Sequence, residues 1–308
     1  MLRRHVLILF LAIAACRAAS AGEESGASEL TFYGWSDQHV ATSGAVDHLL
    51  PAIDAINALP GTEYPPAIGG RVAKPALVFG CGDITEWPTN AAKNAYAELL
   101  DNRLRFPSFD IVGNHDEGGK SPSETIKRWI VARHGALSYT FDRGGVRFVA
   151  LYSKYDEALN NPAQAVSAEA LDFLRARLAE TRKDMPVIVA LHLCFDAITN
   201  RDALADALAG ANVILVLGGH YHKSKADRYR GLDFLQLPSP APNGSREVMV
   251  VRIGSDRLVA LPYNYEKKSW NLGPRVAIDR AIRGPKLPPG AAAASDAESS
   301  APAAPVAR

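Results

Sequence analysis

Five short segments of this 308-residue chain carry side chains that bind divalent metals or move protons. They are Asp37-Gln38-His39, Gly82-Asp83, Gly113-Asn114-His115-Asp116, His192 and Gly219-His220-Tyr221-His222. Of the eight histidines, five fall in these segments. Imidazoles and carboxylates with one carboxamide suit borderline ions such as Mn, Fe, Co and Zn better than Ca or Mg, which want mainly oxygen. No cysteine lies inside the segments, which argues against a thiolate structural zinc site. The donors are too many for one catalytic zinc, which takes three protein ligands and a water. Two ions sharing a carboxylate would use them all. Singly the segments mean less: Asp37 alone reads as a cap or turn former, and His39 or His192 alone as an ordinary buried histidine. The conjunction reverses both, with Gly-Asn-His-Asp as its most specific member.

All five segments follow strand-like apolar runs, at 30–35, 75–79, 109–112, 187–191 and 213–217. Loops at the carboxyl ends of strands in an open α/β sheet face one crevice, so the donors converge there. Helices are expected over 47–58, from Thr89 or Asn90 to about 104, from Ser121-Pro122 onward, and over 167–180 with Ser167 as cap. Arg143-Gly144-Gly145 splits a β-hairpin of 138–142 and 146–151, and Gly254-Ser255-Asp256 joins two antiparallel strands, 248–253 and 258–263. The sum is one α/β domain over about residues 28–270. A tail over 284–308, rich in Ala and Pro, cannot build a core and is expected to be disordered.

An apolar share of 47% and a charged share of 22% are those of an ordinary globular protein. Net charge is +1 and no basic stripe interleaves with aromatics, so the footprint of a nucleic-acid binder is missing. Residues 1–21 read as an export signal: Arg3 and Arg4 precede an apolar run of ten, 6–15, where a bilayer span needs about 20. Two endings compete. Ala19-Ser20-Ala21 would release a soluble protein, whereas Ile13-Ala14-Ala15-Cys16 resembles a bacterial lipobox and would leave Cys16 lipidated in a membrane-anchored, periplasmic protein. The second is favoured, because Cys16 falls right after two alanines closing the apolar run. Export places Cys81 and Cys194 in an oxidising compartment, either as a disulfide beside the metal site or as buried free thiols. Asn243-Gly244-Ser245 matches a glycosylation sequon and reads as a turn in a bacterial setting.

The ordered set Asp-x-His, Gly-Asp, Gly-Asn-His-Asp, His and Gly-His-x-His resembles the calcineurin-like metallophosphoesterase superfamily, from Thr31 to about Tyr263. The resemblance implies a four-layer α/β/β/α sandwich of two mixed β-sheets flanked by helices, with two divalent ions (Mn, Fe, Zn or Co) at one edge. By similarity Asp37, His39, Asp83 and His222 hold one ion; Asp83 bridges to the second, held also by Asn114, His192 and His220. A metal-bridging hydroxide would attack a small phosphorylated substrate, with His115 as general acid steadied by Asp116. Protein Ser/Thr phosphatases usually carry Glu at the position of Asp116, and purple acid phosphatases a metal-binding Tyr at that of Glu86. Bacterial phosphodiesterases and phosphatases, including cyclic-nucleotide phosphodiesterase relatives, fit better. The alternative is a non-catalytic metal-binding scaffold of the same fold, disfavoured because His115 and all seven ligands are present. Residues 60–74, with Glu63, Tyr64 and Arg71, are the expected specificity loop, joined by 153–166.

Overall fold

Six consecutive buried residues make Leu30–Trp35 the first strand, β1. The computed structural model describes residues 29–154, 164–196 and 198–285, so the leader, Cys16 and the tail beyond Pro285 lie outside them. The 3-10 turn Asp47–Leu49 leads into α1 (Leu50–Ala58). β2 (Val78–Gly80) then pairs in parallel with β1, and β3 (Ser108–Asp110) in parallel with β2 across α2 (Asn90–Asn102). Thr89 caps α2, its hydroxyl accepting from the Ala92 N–H at 3.0 Å, which satisfies one of the amides a helix start leaves unpaired.

The next helix, α3 (Thr125–His134), starts later than Ser121-Pro122 suggests. Gly118 and Gly119 are left-handed, and the Ser123 N–H returns to the Glu117 carbonyl at 2.8 Å, closing a loop first. The expected hairpin is β4 (Tyr139–Arg143) with β5 (Val146–Ala150). Gly144 and Gly145 have φ of +55° and +71°, which a two-residue turn needs to match the strand twist.

α4 (Ala168–Glu180), capped by Ser167, precedes β6 (Val187–Ala190). α5 (Arg201–Leu208), without a strong pattern in the sequence, leads to β7 (Val213–Gly218). Two more unannounced strands follow, β8 (Lys225–Tyr229) and β9 (Leu232–Gln236). β10 (Glu247–Ile253) and β11 (Arg257–Asn264) form the antiparallel pair, and β12 (Ser269–Trp270) and β13 (Ile278–Ala281) both add to β11.

The strands build two mixed sheets. One runs β12-β11-β10-β1-β2-β3 with β13 beside β11, the other β4-β5-β6-β7-β9-β8. Side-chain alternation stacks them. Phe148, Ile188, Leu215 and Leu217 enter the core shared with the first sheet, which Ile53, Tyr96 and Ile126 of α1–α3 also join. Their neighbours Val149, Val187, Val189 and Val216 face Leu171 and Leu174 of α4 and Leu204 of α5. Strands buried on both faces explain the continuous apolar runs. The result is the expected α/β/β/α sandwich. Phe148 seals the sheet interface, edge-on to Phe32 at 5.5 Å and stacked on Phe141 at 4.9 Å; losing such a ring costs about 3–5 kcal/mol. Cys81 and Cys194 are both buried and free, so the thiol alternative holds. No helix among the described residues is long and apolar enough to cross a membrane.

Candidate metal centre

The loops after β1 and β2 run side by side as a ladder. Asp37 N–H bonds the Gly82 carbonyl at 2.9 Å, His39 N–H that of Asp83 at 3.0 Å, and Val40 N–H that of Ile84 at 2.9 Å. Close approach demands glycine here. A Cβ on Gly113 would lie 2.2 Å from Asp83 Oδ1, and one on Gly219 1.8 Å from Ser36 Oγ and 2.7 Å from Asp37 Oδ2. Neither of these glycines has a positive φ, so lack of space, rather than backbone freedom, excludes a side chain. The strain sits in the donors themselves: Asp37, His39, Asp83, His220 and His222 all have φ between +46° and +80°. Each such residue costs of order 1–3 kcal/mol and persists only where its surroundings over-determine it, chiefly at functional sites.

Six of the seven donors form two neighbouring groups, and Asn114 joins the second. Ligand atoms of Asp37, His39 and His222 lie within 4.8 Å of one another, as do those of Asp83, His192 and His220. Asp83 Oδ2 stands between the groups, 3.2 Å from His192 Nε2 and 4.0 Å from His39 Nε2. The Asn114 carboxamide oxygen is 3.1 Å from His192 Nε2 and 3.0 Å from His220 Nδ1. His39 Nε2 and His222 Nε2 approach to 3.0 Å. His115 joins a third group with His39 and Asp83.

The far ring nitrogens are held by acceptors. His192 Nδ1 donates to the Cys81 carbonyl at 2.6 Å, His222 Nδ1 to Asn243 Oδ1 at 3.1 Å, and His39 Nδ1 lies 2.9 Å from Glu86 Oε2. The hydrogen bonds of His192 and His222 fix their tautomers and turn the other nitrogen's lone pair inward, as metal ligands require. The carboxylates are anchored likewise: Asp37 accepts from the His220 N–H at 2.9 Å, and Asp83 from the His115 N–H at 2.8 Å.

Charge in the pocket calls for cations. Burial, with Asp83 nearby, pushes the Asp37 carboxyl up to about 6. Burial also lowers the His39 and His220 imidazoles to about 4, leaving them neutral as ligands. Against its own burial, His192 is raised to about 9 by Asp83. Burial would raise Asp83 too, yet His192, His115 and His39 together pull it below the usual carboxylate range. Buried carboxylates amid imidazoles match the donor chemistry of divalent borderline metals, so the residues present fit such ions.

All seven expected ligands and His115 are brought together. Asp116 needs correction. Its charge helps raise the His115 imidazolium, but the hydrogen bond that holds the ring runs from Nδ1 to the Glu86 carbonyl at 2.8 Å. Instead the fully buried Asp116 carboxylate accepts from the N–H groups of Ile84, Thr85 and Gly113 and from the Thr85 hydroxyl, at 2.9–3.1 Å. It thus ties the loop after β2 to the loop after β3. Glu86, Asn243 and Trp87 were missed as site residues. Trp87, 41% exposed, stacks on the His115 ring at 4.7 Å. Asn243 lay in the sequon read as a turn, and Glu86 had been noted for the tyrosine it replaces; neither carries a local sign of its partner.

Residues 60–74 do not serve as the expected specificity loop. Glu63 pairs with Arg71 at 2.6 Å, Tyr64 stacks on Trp270 at 5.2 Å, and Arg252 holds the Gly69 carbonyl. Arg252 is opposite Thr31, at the end of β1 remote from Asp37. Of the second expected loop, residues 155–163 lie outside those described. Lys225 is engaged by Asp196 and Asp227 at 2.5 and 3.0 Å.

No family model matches the sequence. The chain is 25% identical over 226 residues to the Mus musculus protein named serine/threonine-protein phosphatase CPPED1, covering 66% of this chain and 72% of that one. It is 27% identical over 213 residues to a Rhodococcus erythropolis protein named probable cyclic nucleotide phosphodiesterase, covering 64% and 66%. A relative named protein phosphatase thus stands beside the phosphodiesterase, although Asp116 argued against that group. Among solved structures, GAP50, the anchor in the inner membrane complex of Plasmodium, shares the fold at a TM-score of 0.56 and 14% identity, over 84% of this chain and 90% of that one. Five motifs in order, their residues gathered at one edge of a two-sheet sandwich, and relatives of these names together point to the calcineurin-like metallophosphoesterase superfamily.

Proposed function

We propose that the protein is an exported, dinuclear metal-dependent phosphoesterase that hydrolyses phosphodiester or phosphomonoester bonds of a small substrate, with His115 as general acid. The observation that carries this reading is the gathering of Asp37, His39, Asp83, Asn114, His192, His220 and His222 around one point, with His115 at its rim. Asp37, His39, Asp83 and His222 would hold one ion, and Asp83, Asn114, His192 and His220 the other. Cations so held supply Lewis acidity to a phosphoryl group and lower the pKa of a nucleophilic water.

The chain's own residues do the rest. Because His115 Nδ1 gives its proton to the Glu86 carbonyl, Nε2 carries the transferable one. Burial opposes the imidazolium, but Asp83 and the Glu86 carbonyl raise it above its ordinary value. A shift in that direction favours the form that can donate to the leaving oxygen. Asn114 and His192 fix each other's orientation beside Asp83. The leader supports export, with Cys16 as the lipid-bearing residue of a periplasmic, membrane-anchored form.

The test is hydrolysis of bis-p-nitrophenyl phosphate and p-nitrophenyl phosphate by protein lacking residues 1–21, stripped by chelation and then given Mn, Zn, Fe or Co singly. Metal-restored turnover is expected, and the diester-to-monoester ratio assigns the class. Folded protein that binds two ions yet turns over neither ester would point to the scaffold alternative.

A further inference from the structure

The general acid marks the side from which the leaving group departs, and that side has a shape of its own. Trp87 lies against His115 and is 41% exposed, one of few large apolar side chains so placed among the described residues. It forms a wall of a cleft of about 450 Å³ with Pro88, Gly118, Lys120 and Ser121. A second cleft of about 640 Å³ continues between the same two chain segments, lined by Lys93, Pro122, Thr125, Arg128 and Trp129. Ser121 of the first cleft precedes Pro122 of the second, and Trp87-Pro88 precede the start of α2, so the two clefts are neighbours along the same two chain segments.

Charge in the groove is mainly positive. Among the described residues no carboxylate pairs with Lys93, Lys120 or Arg128, and the acid lining it, Glu124, is engaged by Lys127 at 2.5 Å. Elsewhere, Glu63 pairs with Arg71 within residues 60–74, Lys225 is engaged by Asp196 and Asp227, and the equally exposed Tyr221 meets the His220 ring edge-on rather than stacking on it.

We infer that this groove is the leaving-group subsite, and that it selects phosphate esters whose ester oxygen is borne by a flat ring that leads to an anionic group. The ring rests on Trp87 and the anion reaches Lys120, Lys93 and Arg128. In the reaction, water oxygen bonds to phosphorus, the P–O bond to the ring-borne oxygen breaks with its electron pair, and the His115 proton goes to that oxygen. This inference rests on the hydrolytic reading above.

The probes are the phosphate ester of 3-(4-hydroxyphenyl)propanoate and that of the corresponding propanamide. They share a ring, and two methylenes insulate the leaving oxygen from the differing charge. The metal-loaded protein is expected to favour the acid in kcat/KM by about 3- to 10-fold, the worth of a few exposed ion pairs. The ratio should approach one in Lys120→Gln, and Lys93→Gln and Arg128→Gln should each reduce it. Trp87→Leu should lower kcat/KM for both ring esters more than for ethyl phosphate. A ratio of one in the unaltered protein, or one indifferent to all three cation substitutions, overturns the subsite. If p-nitrophenyl phosphate is hydrolysed while the ratio is one, the subsite alone has failed; if no ester is turned over, the hydrolytic reading has failed. The groove itself is then read without turnover, by titrating the two free phenols against the Trp87 indole N–H resonance. A shift with the acid and none with the amide supports the subsite, and equal or absent shifts overturn it.

Discussion

The two sheets contribute unlike chemistry to one centre. The first delivers Asp37, His39, Asp83 and Asn114 from the loops after β1, β2 and β3, and so supplies every carboxylate. The second delivers only imidazoles, His192, His220 and His222, from the ends of β6 and β7. Each candidate ion group takes donors from both, since His222 completes Asp37 and His39, while His192 and His220 complete Asp83. Neither sheet alone offers a charge-balanced set. The first sheet supplies the charge and the second only imidazoles, so cations held as proposed between them would act as clamps across the apolar interface.

The sharpest way to break this comparison is at the shared carboxylate. Asp83→Asn should drop the metal content by one or both ions and activity by at least about 10³-fold, several kcal/mol of transition-state stabilisation. His222→Ala, by contrast, should lose one ion only; metal analysis of the two proteins side by side decides. If Asp83→Asn keeps both ions, the bridging role is wrong.

Next is the acid. His115→Asn should retain metal and lose about 10²–10⁴-fold in kcat for poor leaving groups. Its imidazolium is raised, so activity through it is full below that pKa and declines as pH climbs past it. In His115→Asn the alkaline decline should vanish from the pH profile.

The clamp itself is tested by chelation. At ion concentrations of about 100–1,000 Kd, bound metal adds roughly 3–4 kcal/mol, so stripping should lower Tm by roughly 6–16 °C. An unchanged Tm would mean that the ions do not link the sheets.

Asp110, on the first sheet beneath the centre, tests how buried carboxylates load that sheet. Burial raises it to about 6, with Tyr96 donating to it at 2.9 Å. The folded value exceeds that of an unfolded carboxylate, about 3.9, so the stability tied to this proton is complete below pH 4 and is lost as pH rises through 6. The loss is about 3 kcal/mol, by the same conversion. Asp110→Asn should therefore melt above the unaltered protein at pH 8, and the difference should shrink at pH 4.5. A difference independent of pH would contradict the raised carboxyl. The smallest effect is expected on the second sheet, where Asn243→Ala frees the His222 ring and should weaken one ion by about 10- to 100-fold, seen in metal titrations.

Much of this was legible in the chain because it is local. Leu30–Trp35 reads as a buried strand from six apolar or small residues, and the Gly144-Gly145 turn and the Thr89 and Ser167 caps act within a few residues. The donors' identities are equally local, each sitting in a short loop just past an apolar run. α5 was less visible because it is a short helix, Arg201–Leu208, and β8 because its KADRY alternates weakly and lies at the sheet edge. The Ser121-Pro122 start failed because a glycine turn claimed those residues first.

The sequence by itself determined which atoms are available to the centre and in what order, since residue type and strand-end position suffice for that. Only the tertiary structure decided how they face one another. His39 and His222 are 183 positions apart, and their 3.0 Å approach depends on how two sheets pack. The same packing turned Asp116 from the His115 ring to the loop amides, gave Glu86, Asn243 and the Cys81 carbonyl the task of aiming imidazoles, and opened a groove beside Trp87. Hydrogen bonds of that kind join segments remote in the chain, and no local pattern encodes the partner.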